Sequence, residues 1–235
     1  MSDIIESIRK ELIQSANGKA KLSAERYFIG GIKLYGVITP EVNRISKSYF
    51  KNIEDKSKSN IFSLCEELWK SGFVEESIVA CHWAYNIYKE YIPVDFKVFD
   101  KWVKNYLNNW ASCDTLCNHA VGTFVEMFPE YLTSLKEWAK SENRWVKRAS
   151  SVSLIIPARR GKFLKDIFDI ADILHSDKDD MVQKGYGWML KAASQAHQNE
   201  VFNYVMKRKS TMPRTSLRYS IEKMSPELKA QIMLK

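Results

Sequence analysis

Residues 110–120 read WASCDTLCNHA, and the pattern returns every 36 residues, as VEESIVACHWA at 74–84, VKRASSVSLII at 146–156 and VQKGYGWMLKA at 182–192. Val74, Trp110, Val146 and Val182 align first. Three residues on come the small Ser77, Cys113, Ala149 and Gly185; six on come Ala80, Leu116, Val152 and Trp188; ten on come Ala84, Ala120, Ile156 and Ala192. These offsets share one face of a helix that turns about every 3.6 residues. A small residue recurring on that face lets neighbouring helices approach closely, and the period is that of stacked helical pairs of the HEAT type. The pattern predicts an all-α fold, a superhelical solenoid of antiparallel helix pairs in a single domain.

The segments between the repeats also carry helical spacing. Residues 93–108 place Val94, Val98, Trp102 and Leu107 on one side; 129–140 open on a proline and continue through Leu132, Leu135 and Trp138; 162–175 carry Phe163, Ile167, Ile170 and Leu174. Polar connections at 141–143 and 176–179 supply capping side chains. Upstream, residues 2–15, 22–29, 40–50 and 61–70 read as helices outside the repeat register, with Gly30-Gly31 and Thr39-Pro40 marking a turn region. The expected organisation is an irregular N-terminal cap over about 1–70, regular repeats over about 71–196 and a basic C-terminal cap over about 197–235.

Composition bounds the class. The 235 residues hold 36 Lys+Arg against 28 Asp+Glu, a net charge of +8, and only 9 Gly and 6 Pro, too few for a turn-dense β-sandwich. No apolar stretch is long enough to span a membrane, and the opening MSDIIESIRKELIQS has no signal-peptide core. A cytoplasmic protein follows, with Cys65, Cys81, Cys113 and Cys117 as reduced, buried thiols. The cysteines and the four histidines match no metal-ligand spacing, and no GxxxxGK[ST] or GxGxxG segment appears. No metal and no cofactor are expected.

Charge is unevenly distributed along the chain. Residues 144–165 hold seven basic residues and no acid, whereas 166–180 hold six aspartates against one lysine, and 207–235 hold eight basic residues against two acidic ones. That segregation predicts a polyanion-facing surface beside a repelled, solvent-facing one. Taken singly, Trp110 and Asp114 form an ordinary aromatic–carboxylate pair four residues apart, and Trp188 and Tyr27 are plausible packing aromatics.

Together, ERYFIGGIKLYGVITPEV (25–42), NNWASCD (108–114), SENRWVKRA (141–149) and DDMVQKGYGW (179–188) resemble the AlkD family of DNA alkylation repair glycosylases, over about residues 25–193. The resemblance implies that Tyr27, Trp110, Asp114, Arg148 and Trp188 line a DNA cleft, with Asp114, Trp110 and Trp188 catalytic. Gly30-Gly31 and the RRGK of 159–162 depart from the family pattern and bear on lesion preference. Lys147, Arg144, Lys184, Arg159 and Arg160 join Arg148 and Tyr27 as candidate DNA-binding residues. On the 36-residue register, Trp110 and Asp114 lie on the opposite flank of the packed face from Arg148 and Trp188, so their convergence follows from the resemblance and not from the periodicity.

The implied activity is hydrolysis of the N-glycosidic bond of positively charged N3- or N7-alkylpurines in double-stranded DNA, as base-excision repair by a monomer at the nucleoid, without a deep base-flipping pocket. The charged base is a good leaving group, a carboxylate stabilises the oxocarbenium-like sugar, and tryptophan faces suit a cation. The alternatives are a non-catalytic HEAT-repeat binder of branched or distorted DNA, and a protein-interaction scaffold with an incidental basic patch. A carboxylate facing phosphates does nothing for a pure backbone binder, which favours the enzyme.

Overall fold

The computed structural model describes residues 3–28 and 31–234; Ser2, Ile29 and Gly30, on which parts of these expectations fall, lie outside the described residues. The chain divides into two compact units, Met1–Asp95 and Phe96–Lys235. The first contains α1 (Asp3–Gln14), α2 (Gly18–Glu25), α3 (Thr39–Asn52), α4 (Lys58–Ser71) and α5 (Val74–Asn86). The second begins with α6 (Phe96–Asn105), α7 (Trp110–Thr115), a π-helical turn at Leu116–Val121 and α8 (Gly122–Met127). It continues with α9 (Leu132–Ala139), α10 (Arg144–Val152), α11 (Ile155–Arg159), α12 (Leu164–Leu174) and α13 (Asp180–Ala193). It ends with α14 (Gln198–Arg208), α15 (Arg214–Ser220) and α16 (Pro226–Met233). A single bridge between Lys33 and Phe73 is the β-type pairing among the described residues. The all-α class is as expected from the sequence, and no helix is long and apolar enough to cross a membrane.

The repeat face is the buried face. Of the sixteen aligned positions, all are buried except Trp110, Ile156 and Trp188, which are half-buried. Each repeat helix of the second unit opens on a side-chain cap: Asn109 accepts from the Ser112 N–H at 2.9 Å, Asn143 from Trp145 at 2.9 Å and Asp179 from Met181 at 2.8 Å. The four cysteines are buried, and none of them forms a disulfide.

Two repeat helices are irregular where periodicity predicts regularity. Between α7 and α8 the helix widens into the π-turn, placing an extra residue in one turn. After α10 the helix breaks, for reasons written in SSVSLIIP (150–157). Ser150, Ser151 and Ser153 donate their hydroxyls back to the carbonyls of Lys147, Arg148 and Ala149, and Pro157 has no N–H to continue the ladder. The broken segment packs on Gly122, where a Cβ would come within 2.7 Å of the Ser153 carbonyl oxygen.

In the first unit, two adjacent buried glutamates of α5 hold the segment that follows α2. Glu75 accepts from the backbone N–H groups of Tyr35 (3.2 Å), Gly36 (2.8 Å) and Val37 (3.1 Å). Glu76 takes the Arg9 guanidinium at 3.0 Å and the Tyr35 hydroxyl at 2.7 Å. Three backbone donors satisfy the Glu75 carboxylate, and stacking of Tyr35 on Phe73 (4.1 Å, 12°) completes the anchor. This part of the stretch at 25–42 is thus structural.

α13 and α15 pack closely at Gly187. A Cβ on Gly187 would stand 2.7 Å from Tyr219 Cβ and 3.0 Å from the Ser216 Cα and carbonyl oxygen. Gly187→Ala is expected to destabilise the chain by about 1–3 kcal/mol despite its better helix propensity, read as a lower urea midpoint; an unchanged or raised midpoint would show that the helices yield without cost.

Candidate active site around Asp114

Asp114 sits one turn into α7, and Arg148 one turn into α10. The guanidinium meets the carboxylate with both edges, Nε to Oδ1 at 2.8 Å and Nη2 to Oδ2 at 2.8 Å. Its Nη1 donates to the Met181 carbonyl oxygen on α13. One side chain therefore ties three helices together. Gly185 makes room for it: a Cβ there would fall 3.3 Å from Arg148 Cγ and 2.9 Å from Ser151 Oγ. The small residue that the repeat requires at this position is, in this copy, also the one that admits the arginine.

The pair is nearly dry, with side-chain exposures of 6% for Arg148 and 16% for Asp114. Burial pushes the Asp114 carboxyl above the ordinary aspartate range, and the hydrogen bonds and charge of Arg148 pull it partly back. Burial works against the Arg148 charge too, but its bonds to Asp114 more than offset that, so the guanidinium stays charged. The two flanking tryptophans, with Ile156, are the aligned positions that periodicity would bury and the structure leaves half-buried: Trp110 opens α7, and Trp188 lies one turn beyond Gly185 on α13. Asp114, Arg148, Trp110 and Trp188 thus lie on three adjacent helices. Arg148, on the other flank of the repeat register, meets Asp114 because its long side chain reaches back 34 residues to the repeat helix before its own.

The basic residues are placed differently from the surface that charge segregation predicts. Arg144 bonds Asp179 with both edges at 2.9 Å and lies 5.2 Å over the Trp145 ring; Lys147 meets Asp177 at 2.8 Å; Lys184 meets Asp180 at 2.6 Å. Lys136 takes Asp166 (2.7 Å) and Asp169 (2.8 Å), and Arg208 takes Asp172 at 2.7 Å. Every aspartate of 166–180 therefore has a cation partner, so the acidic stretch is not repelled from the basic residues, although Asp172 and Asp180 remain exposed. Stacking at a spacing of 30–36 residues brings Arg144, Lys147, Lys136 and Arg208 beside aspartates of 166–180.

Arg160 and Lys162 close on Glu126 at 2.7 and 3.3 Å, near the end of the helical run that Trp110 begins. Sixteen residues of helix separate Glu126 from Trp110, about 24 Å at the usual rise, so these two cations are not gathered around Asp114. Arg159 is exposed. Tyr27 belongs to the first unit, in the turn after α2, and is 68% exposed. Sequence reasoning did not single out Met181, Asp177 or Asp179 as partners of the site; the signal was their spacing of 30–35 residues from the cations. Among the described residues no group of three His, Cys, Asp or Glu side chains is placed to share a metal ion.

Comparison with known proteins gives a family and a fold. The sequence pattern of the DNA alkylation repair enzymes matches residues 8–224. No curated protein matches the sequence. A predicted DNA alkylation repair enzyme from Enterococcus faecalis superposes with a TM-score of 0.78 at 17% identity, covering 90% of this chain and 98% of that one. The Pseudomonas fluorescens alkylpurine DNA glycosylase AlkC, bound to DNA containing an abasic site analogue, superposes with a TM-score of 0.56 at 14% identity, covering 98% of this chain and 66% of that one. At these identities the two structures speak for the fold.

Removing Arg148 leaves Asp114 buried without its cation. Arg148→Ala is expected to lose about 3 kcal/mol at neutral pH, whereas Asp114→Leu/Arg148→Met loses less than either single replacement. In Arg148→Ala the Asp114 pKa rises further in the folded state, since the group that lowered it is gone. A raised folded-state carboxyl favours folding below the unfolded aspartate value of about 3.9 and loses that contribution as pH rises through the folded value. The deficit against the native chain should therefore narrow on acidification from neutral pH, read by urea unfolding at several pH values. A deficit independent of pH would mean that Asp114 is not what Arg148 stabilises.

Proposed function

The chain belongs to the DNA alkylation repair enzyme family, and we propose that within it this protein is a DNA glycosylase that hydrolyses the N-glycosidic bond of positively charged N3- and N7-alkylpurines in duplex DNA. The observation that carries this reading is the Asp114 carboxylate, held at both oxygens by Arg148, with half-buried Trp110 on its own helix and half-buried Trp188 on α13. The likeness to AlkC, itself an alkylpurine DNA glycosylase, supports it.

An alkyl group on N3 or N7 makes the purine cationic. The C1′–N bond then breaks with its electron pair going to the base, which leaves neutral, while the sugar gains oxocarbenium character. Asp114 stabilises that charge and orients the water whose oxygen bonds to C1′; the water's proton passes to the carboxylate or to solvent. Trp110 and Trp188 offer π faces to the cationic nucleotide. Arg148 acts first through Asp114, fixing the carboxylate's orientation and opposing the burial that favours its neutral form. Three of the five Arg148 N–H donors go to Asp114 and Met181, and a phosphate oxygen would meet only the small edge of the guanidinium that is exposed. Lys147, Arg144, Lys184, Arg159, Arg160 and Tyr27 are the remaining proposed DNA contacts. The chemistry uses water alone, so no metal or cofactor enters. Without a deep pocket for the base, the leaving group must arrive activated by its own charge. A monomer acting on HEAT-like repeats in base-excision repair, in the cytoplasm at the nucleoid, completes the reading.

The test is release of 7-methylguanine or 3-methyladenine from methylated duplex DNA. The native chain is expected to release them, and Asp114→Asn, which keeps an acceptor for Arg148, to fall by about 10²–10³-fold while still binding duplex. Equal turnover by the variant would remove Asp114 from the mechanism. Salt-sensitive binding without release by the native chain would favour a non-catalytic binder of distorted DNA.

A further inference from the structure

The cations nearest Asp114 are already balanced. Arg148 is paired with Asp114, Lys147 with Asp177, Arg144 with Asp179 and Lys184 with Asp180. A phosphodiester strand approaching these helices meets little net charge there. The next helix in the stack is different.

α13 and α15 run alongside one another in the same direction. Thr215 Oγ1 lies 3.5 Å from Asp180 Oδ1 at one end; at the other, Lys191 meets Glu222 at 3.0 Å and lies 5.6 Å over the Tyr219 ring. Asp180, Lys184, Trp188 and Lys191 form one stripe of α13, so these rungs set Thr215, Tyr219 and Glu222 along its border. The burial of Ser216, Leu217 and Ser220 turns the opposite side of α15 inward. Arg214 and Arg218, one turn apart, come next on the solvent side. Both are exposed, and neither has a carboxylate partner among the described residues.

We propose that Arg214 and Arg218 are a phosphate grip for the duplex, extending the surface around Asp114 and Trp188 onto α15. The proposal rests on the glycosylase reading and adds where the flanking DNA is held. Paired guanidinium groups suit phosphate oxygens because each presents a planar fork of donors. Neighbouring helices pack about 8–10 Å apart, which puts α15 roughly 20 Å from α10. At about 3.4 Å of axis per base pair, the gripped phosphates lie about six base pairs to one side of the lesion.

The test is fluorescence anisotropy of the full chain on lesion-containing duplex at salt concentrations from about 50 to 200 mM. Arg214→Gln/Arg218→Gln should reduce the slope of log affinity against log salt by about 1.8, at about 0.9 per lost contact. The charge-matched Lys97→Gln/Lys207→Gln, at exposed lysines of α6 and α14, should keep the native slope. A duplex cut about three base pairs from the lesion on one particular side should give the native chain the slope of the arginine variant, and cutting the other side should not. A native slope in the arginine variant, or an equal fall in the lysine control, overturns the grip while leaving the glycosylase reading intact. Absence of salt-dependent duplex binding and of base release by the native chain would overturn both.

Discussion

A guanidinium buried among three helices is the constraint on which the second unit turns. Arg148 can leave water only if acceptors meet its donors, and these come from Asp114 on α7 and the Met181 carbonyl on α13. Either partner alone would leave buried donors unmet, at a cost comparable to much of a domain's net stability. The same demand fixes the Asp114 carboxylate in space, so the interaction that orders the stack also prepares the group proposed for catalysis. Gly185 is the steric condition for it.

Around that pair, electrostatics follows the stacking period and not the local sequence. Arg144 with Asp179, Arg160 with Glu126 and Arg208 with Asp172 are 35, 34 and 36 residues apart. Non-ionic rungs keep the same spacing, His175 with Thr211 and His197 with the Gly161 carbonyl, each 36 apart. A basic run followed by an acidic one is what a stacked repeat needs if side chains are to meet across neighbouring copies. Read as a linear string, the same arrangement suggests opposing surfaces. Most of these pairs are partly exposed and individually contribute little; their effect is to neutralise the surface beside Asp114 and leave α15 with uncompensated arginines.

The irregular turns show how the repeat is adapted. The π-turn after Asp114 and the break after Val152 both fall in repeat helices next to the pair, and they meet where Gly122 receives the Ser153 carbonyl. Serines that bond back to the helix, a proline without a donor and a glycine without a Cβ are each visible in the sequence. That they answer one another across two helices is visible only once those helices are packed.

The sequence by itself determined the helical class, the repeat, the caps at Asn143 and Asp179 and the buried face of each repeat helix, because these depend on spacing within a few residues. It marked Trp110 and Trp188 only through resemblance, since an aromatic at a core position looks the same whether it is covered or half open. Tertiary structure decided the partners. Arg148 reaches back to Asp114, and all the aspartates of 166–180 except Asp180 meet cations about a repeat away. The physical reason is that a helix wheel specifies the direction in which a side chain leaves its own helix, whereas the charge it meets is set by the offset between neighbouring helices, which close packing at small residues such as Gly185 and Gly187 fixes.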